Sequence, residues 1–167
     1  MPAQRLLLPL AVTLTISCAA AAQQQVPEQM PFDIPYGEPI SLAQAQKLAA
    51  AAIGEAGKHN WKMAVAVVEP SGALVTFSRM DGTQYASTRI AQDKARAAAR
   101  YRRPTKVFSA AISQGAVGLL SLAGVTASEG GIPLVENGKL IGAIGVSGGL
   151  AVQDGTAAKA GVDALGH

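Results

Sequence analysis

The part of the sequence that most constrains the fold is a hydrophobic stretch, residues 140–146, in which glycine recurs. Gly142 and Gly145 lie within it, and Gly148 and Gly149 follow directly. Glycine weakens a strand, because it adds no side chain to the packing and loses more conformational entropy on folding than other residues. We therefore expect a ligand or another stretch of backbone to come close to this strand.

The first 22 residues are typical of a secretory signal peptide. Arg5 precedes an apolar run over residues 6–16, and Ala20–Ala21–Ala22 forms a small-residue cleavage site before Gln23. The sequence therefore predicts a periplasmic or secreted protein. No later run of about 18 apolar residues follows, so we expect no transmembrane helix.

Cys18 offers an alternative to this cleavage, because small residues precede it as in a lipoprotein signal, but the usual leucine three residues earlier is missing. Cleavage after Ala22 leaves 145 residues without cysteine, which excludes disulfides, thiolate metal sites and thiol catalysis. Without Arg5, 13 basic side chains stand against 11 acidic ones. This small net positive charge does not favour a nucleic-acid partner or a membrane surface.

The rest of the chain is expected to form a short leader and one domain. Residues 23–40 contain four prolines and three consecutive glutamines, which predicts an extended leader. Residues 41–167 then have the length of a single domain of ordinary size. Ser41 and Gln44 match a capping box, and the helix that they begin is expected to end at Gly57.

The remaining elements alternate between hairpins and helices. Asn137–Gly138 between two apolar runs predicts a hairpin with a type I′ turn. Ser87 or Thr88 is expected to cap a helix that ends near Tyr101. The other predicted elements are an antiparallel hairpin over 62–68 and 73–80, a short helix over 107–114 and a last helix over 152–165. Turns this short favour an α+β fold with an antiparallel sheet over a doubly wound parallel sheet, which requires long crossovers.

Six segments, in this order along the chain, resemble the GlcG/HbpS family of haem-binding proteins. They are 63–72 (MAVAVVEPSG), 79–82 (RMDG), 91–96 (AQDKAR), 103–105 (RPT), 130–133 (GGIP) and 141–149 (IGAIGVSGG).

The resemblance implies a profilin-like, three-layer α/β/α sandwich with a five-stranded antiparallel sheet. It also implies assembly into a homo-oligomer, and haem as the cofactor of some members. Proteins that share a fold often differ in function, so the resemblance leaves the function of an individual member open.

The basic residues between Arg89 and Lys106 suggest a site for acidic groups. Arg103, followed by Pro104 and Thr105, has the planar fork that binds carboxylates, such as the propionates of haem or a small organic acid. The alternative is a solvated helix face whose arginines complement the negative C-terminus of the helix.

The matching motifs add further candidates to a ligand site around Arg103. If the family fold is correct, Arg79, Asp81 and Glu129 complete a polar set near it. Gly130 and Gly131 are expected to offer backbone N–H groups to an anion. Each candidate has a simpler interpretation, since Asp81 belongs to an Asp-Gly turn and Glu129 to a loop.

Candidates for a metal ligand or a catalytic group are few. The only histidines are His59, a weak candidate for the axial ligand of haem, and His167 at the terminus. No C-x-x-C-H segment is present, and Ser147 lacks the G-x-S-x-G spacing of a hydrolase. The sequence identifies no catalytic residue.

Three hypotheses follow from this pattern. The first is an exported binding protein for haem or a similar anionic small ligand, with haem-sequestering or haem-degrading activity. The second is an enzyme or accessory factor that acts on a small carboxylic acid, with Asp81 or Glu129 as general acid or base. The third is a structural module for oligomerisation.

Overall fold

The structure is a computed structural model that describes residues 27–166. The proposed signal peptide, Cys18 and His167 lie outside the described residues. The elements, in chain order, are α1 Leu42–Lys58, β1 Ala64–Val68, β2 Leu74–Arg79, α2 Ser87–Tyr101, α3 Lys106–Ser113, a short 3-10 helix Val117–Ser121, β3 Gly131–Glu136, β4 Lys139–Ser147 and α4 Ala151–Asp163. No helix within the described range is long and apolar enough to cross a membrane.

All neighbouring strands pair antiparallel, in the order β2-β1-β4-β3. The predicted α+β class is confirmed, but the sheet of residues 27–166 has four strands where the resemblance implied five. From Pro27 onwards the leader lies beside β4, where Tyr36 and Leu140 form an isolated bridge and the Ile40 N–H donates to the Ile141 carbonyl oxygen at 2.8 Å. Proline at positions 35 and 39 removes two N–H donors from this segment, which prevents a longer ladder.

The sheet lies between two helical layers because its two faces differ in side-chain size. Val65, Val67 and Ile144 belong to the core cluster that includes α1 and α4, whereas alanines at 64, 66 and 143 pack with the alanines of α2. Larger side chains therefore fill one layer, while small ones on the other face let α2 lie close to the sheet. This arrangement gives the three layers that the resemblance implied.

The two glycines of β4 lie where other backbone comes close, and Gly145 is the one that faces α2. A Cβ on Gly145 would come within 3.0 Å of the Ala91 carbonyl oxygen and of the Ala95 backbone nitrogen. A Cβ on Gly142 would instead meet the Val68 carbonyl oxygen of the neighbouring strand β1. Of the two alternatives raised by the sequence, facing backbone rather than a ligand occupies this space. β4 is, moreover, an inner strand of the sheet.

Two local predictions are confirmed and one is wrong. The Ser41 hydroxyl accepts a hydrogen bond from the Gln44 backbone N–H, which completes the capping box. Asn137 and Gly138 have φ of 49° and 73°, as a type I′ turn requires. Ser87 and Thr88, however, do not cap α2, because its N-cap is Ala86, which already has helical φ and ψ and makes no side-chain cap.

Candidate functional site

The structure separates the predicted site residues into two groups at opposite edges of the sheet. Gly131 of β3 pairs with Gly145, which pairs with Ala66, which pairs with Phe77 of β2. The β3 group therefore lies three strand spacings, about 14 Å, from the β2 edge that ends at Arg79. Arg79 and Asp81 do not join the residues around Gly131 in one site.

Thr105 ties the residues of the β3 group together. Its hydroxyl donates a hydrogen bond of 2.6 Å to the Ser128 carbonyl oxygen and accepts one of 3.0 Å from the Gly131 backbone N–H. The Thr105 backbone N–H also donates to the Gly131 carbonyl oxygen at 2.9 Å. Thr105 is buried, so its hydrogen-bonding groups join the start of α3 to the start of β3.

Gly130 and Gly131 are buried against the same elements. Gly130 has a φ of 123°, and a Cβ there would lie 3.0 Å from the Lys94 Nζ and closer to the Val146 carbonyl oxygen. The N–H of Gly131 is already bonded to Thr105. These two glycines thus have structural partners, and the anion site predicted for their N–H groups stays a prediction.

Arg103 lies half-buried between two aromatic rings at the α2–α3 junction. Its guanidinium carbon is 4.3 Å from the centre of the Phe32 ring and 5.7 Å from that of Phe108. The Nε donates to the Tyr101 carbonyl oxygen at 3.0 Å, and no ion pair of Arg103 forms within residues 27–166. The Nη groups thus retain their charge without an acidic partner in that range.

An open groove of about 650 Å³ runs along α3. Phe108 is the only buried residue of α3, and all the other residues of the helix except Ile112 border the groove. Lys106 contributes a positive charge and Glu129 a negative one, and the other lining residues are Val107, Ser109, Ala110, Ala111, Ser113 and Gln114. Of the predicted site residues, Glu129 alone lines this groove, two positions from the buried Gly131.

A buried ion pair beside Gly130 was not identified from the sequence. The Lys94 Nζ donates to the Asp154 Oδ2 at 2.6 Å and to the Val146 carbonyl oxygen at 3.1 Å. The side chains of Lys94 and Asp154 are only 1% and 4% exposed. Lys94 follows Ala91 by three positions, on the face of α2 whose alanines pack on the sheet, and this spacing could have placed it in the core.

The residues at the β2 edge face solvent. Arg79 lies over the ring of Tyr85, with its guanidinium carbon 5.4 Å from the ring centre. Asp81 is exposed and forms no ion pair with the residues that the structure describes. Between them and α2, Thr83 is buried, and its hydroxyl has no hydrogen-bond partner in residues 27–166.

His59 follows α1 and has two partners there. Its ring stacks on Trp61 at 4.3 Å between centroids, and its Nε2 lies 3.2 Å from the Glu55 Oε1. Hydrogen bonds from Lys58 and then His59 lower the pKa of Glu55. Residues 27–166 contain no group of three or more His, Cys, Asp or Glu side chains that could hold a metal ion. Axial ligation by His59 stays a prediction.

Similarity to known proteins extends over nearly the whole domain. The family model described as "Haem degrading protein HbpS-like" matches residues 40–163. Protein GlcG of Escherichia coli K12 is 39% identical over 108 residues, which cover 65% of this chain and 81% of GlcG.

Two solved structures have a similar fold. A double mutant of Streptomyces reticuli HbpS is 28% identical, with a TM-score of 0.73 over 86% of this chain and 99% of that one. A complex of PduOC with haem is 27% identical, with a TM-score of 0.69 over 75% of this chain and 94% of that one.

Proposed function

The chain belongs to the HbpS-like family, and on this premise we propose that it binds haem or a closely similar anionic tetrapyrrole. The observation that carries the proposal is the likeness of its fold to the PduOC haem complex, which extends over 94% of that chain. Bound haem would supply an iron centre for ligand binding and redox chemistry. The activity named in the family description, haem degradation, is the finer possibility to be tested.

We assign this ligand to the groove along α3. Val107, Ala110 and Ala111 offer apolar contact to a ring, and Lys106 offers a cation to a propionate. Arg103, three positions before Lys106, does not line the groove, but its Nη groups have no acidic partner in residues 27–166, and we propose that they bind a second propionate that extends beyond it.

The groove fits the propionates and the apolar ring better than it fits the iron. None of its lining residues is His, Met, Tyr or Cys, the side chains that commonly ligate haem iron. His59, the weak candidate for this role, lies after α1 and does not line the groove. We therefore propose that the carboxylates and ring of haem account for most of its binding free energy.

Titration of the purified protein with haemin, followed by the Soret band, tests this proposal. We expect a saturable band, and Lys106→Gln is expected to weaken binding by about tenfold, since a charge-assisted hydrogen bond contributes about 1.5 kcal/mol. Lys47→Gln, which alters an exposed lysine of α1, is the matched control and leaves the affinity unchanged. Absence of saturation would refute haem binding, and equal effects of the two variants would refute the location.

The role of His59 and the fate of the ligand need separate measurements. His59→Ala changes the Soret and electron paramagnetic resonance spectra of the complex if this imidazole holds the iron, and leaves both unchanged otherwise. Loss of the Soret band under a reductant and oxygen, with release of iron, would favour degradation. A stable spectrum would favour sequestration.

We further propose that the protein is exported and acts as a homo-oligomer. The pattern of residues 1–22 supports export, and the family resemblance supports assembly. Mass spectrometry of the protein from its own host measures both properties, since the intact mass reports cleavage after Ala22 and native conditions report the subunit number. A monomer that retains Met1 would contradict both.

A further inference from the structure

A second pocket lies between the leader and the turn that joins β1 to β2. Its volume is about 470 Å³, and it shares no lining residue with the groove along α3. Its lining includes Tyr36, Pro39, Glu69, Pro70, Ser71 and Arg100. A volume between about 300 and 1,000 Å³ is usual for small-molecule sites.

The β1–β2 turn holds the side chain of Arg100 in place. The Arg100 Nε donates a hydrogen bond of 3.0 Å to the Ser71 carbonyl oxygen. Gly72 has a φ of 94°, and a Cβ there would lie 2.9 Å from the same Nε. The positive φ therefore favours glycine, and a Cβ there would displace the guanidinium from its position on the turn.

The charge of Arg100 is not neutralised by an ion pair among the residues described. Arg89 and Arg96 pair with Asp93 on the same helix, and Arg102 pairs with Asp33, whereas Arg100 has no such carboxylate within 4.0 Å. With the Nε committed to Ser71, the two Nη groups keep the planar geometry that binds a carboxylate with two hydrogen bonds.

Tyr36 provides an aromatic surface at the same pocket. Its side chain is 55% exposed, and the guanidinium carbon of Arg102 lies 5.5 Å from the ring centre. The backbone beside it is fixed, because the Gly37 N–H donates to the Leu140 carbonyl oxygen at 2.8 Å. Pro39 and Pro70 add rigid apolar walls.

Glu69 restricts the charge that a ligand can carry. Its Oε1 accepts hydrogen bonds from the Ser71 hydroxyl and from the backbone N–H groups of Ser71 and Ala73. These hydrogen bonds, that from the Ser71 hydroxyl foremost, lower the pKa of Glu69, so the carboxylate stays ionised at neutral pH. A ligand with a second negative charge would be repelled by it.

We propose that this pocket binds a small planar aromatic monocarboxylate. The carboxylate accepts hydrogen bonds from the Nη groups of Arg100, and the ring packs on Tyr36 between the two prolines. This site is distinct from the groove proposed for haem, so the two proposals stand or fall separately.

Titration of the full chain with benzoate, followed by isothermal calorimetry, tests this inference. We expect saturation at millimolar concentration, and a loss of at least about tenfold in affinity for Arg100→Gln, because a bidentate charge-assisted pair is removed. Arg89→Gln, on an exposed position of the same helix, is the matched control and leaves benzoate binding unchanged. Tyr36→Leu is expected to weaken benzoate but to have little effect on cyclohexanecarboxylate.

Two further ligands and haemin complete the test. Benzamide, which lacks the charge, and phthalate, which carries two, are both expected to bind more weakly than benzoate. The proposal is overturned if benzoate fails to saturate, or if Arg100→Gln binds it as well as the unmodified chain. Unchanged haemin affinity in Arg100→Gln supports a separate site, whereas a loss there would mean that Arg100 binds a haem propionate and would overturn this inference.

Discussion

The interface between β4 and α2 and the groove along α3 are both rich in small residues, yet one is closed and the other is open. At the interface, Gly145 lies against the backbone of Ala91 and Ala95 with no room for a methyl group. On α3, Ala110 is exposed and Ala111 is half-buried, and both border a groove. Small side chains therefore permit close approach, but only the presence of an opposing element decides whether protein or ligand fills the space.

The largest effect is expected where a charge is buried at the closed interface. Lys94→Met leaves Asp154 without its cationic partner, and the free energy of unfolding should fall by about 3–5 kcal/mol. Adding Asp154→Asn should restore part of the loss, since the amide oxygen can still accept from the Gly149 N–H. Chemical denaturation of both single variants and the double variant measures the coupling, and additive losses would contradict a direct ion pair.

A single methyl group at the same interface should be nearly as damaging. Gly145→Ala places a Cβ against backbone atoms of α2 that cannot move independently of the helix, so we expect a loss of about 3 kcal/mol. Gly118→Ala is the matched control, because a Cβ there meets no atom within 4 Å. Equal melting temperatures for the two variants would show that α2 does not lie this close to β4.

Loss of the Thr105 hydroxyl, near the interface between β4 and α2, should lower the free energy of unfolding by an intermediate amount. Thr105→Val removes the donor to the Ser128 carbonyl oxygen and the acceptor of the Gly131 N–H, and should cost about 1–3 kcal/mol of stability. Urea denaturation measures this loss. The haemin affinity of the folded variant should stay within about twofold. A stable variant with greatly weakened haemin binding would instead make the Thr105 hydroxyl a ligand group.

The smallest change in stability is expected in the open groove. Position 110 is exposed and leucine is a good helix former. Ala110→Leu should therefore change the free energy of unfolding by less than about 0.5 kcal/mol. The added volume should nevertheless obstruct the groove and weaken haemin binding. A combined thermal melt and haemin titration tests both, and an unaltered titration would place the ligand elsewhere.

The sequence predicted the features that depend on neighbouring residues. The capping box of Ser41 and the type I′ turn at Asn137–Gly138 were identified because side-chain chemistry and positive φ are local requirements. The N-cap of α2 was predicted wrongly: it is Ala86, and the Ser87 hydroxyl accepts a hydrogen bond of 3.2 Å from Ser147, a partner 60 residues away that local sequence does not reveal.

The candidate site was predictable only in part, for the same reason. Glu129 was identified and lines the groove, whereas Lys106 entered only as one charge in a basic cluster, because nothing local shows which face of α3 stays uncovered. Arg79 and Arg103 both belong to segments that resemble the family. The strand order shows that Arg79 lies at the β2 edge of the sheet and Arg103 towards the β3 edge. Gly145 likewise is explained only by the position of α2, which its own sequence neighbours do not show.

The contrast between the two regions is tested most directly by a nuclear magnetic resonance titration of the isotope-labelled protein with gallium protoporphyrin, a diamagnetic analogue of haemin. The account predicts saturable shifts of the backbone amides of residues 106–114 and Glu129, with residues 142–148 unaffected. Shifts centred on residues 142–148, or no saturable shifts at all, would contradict it.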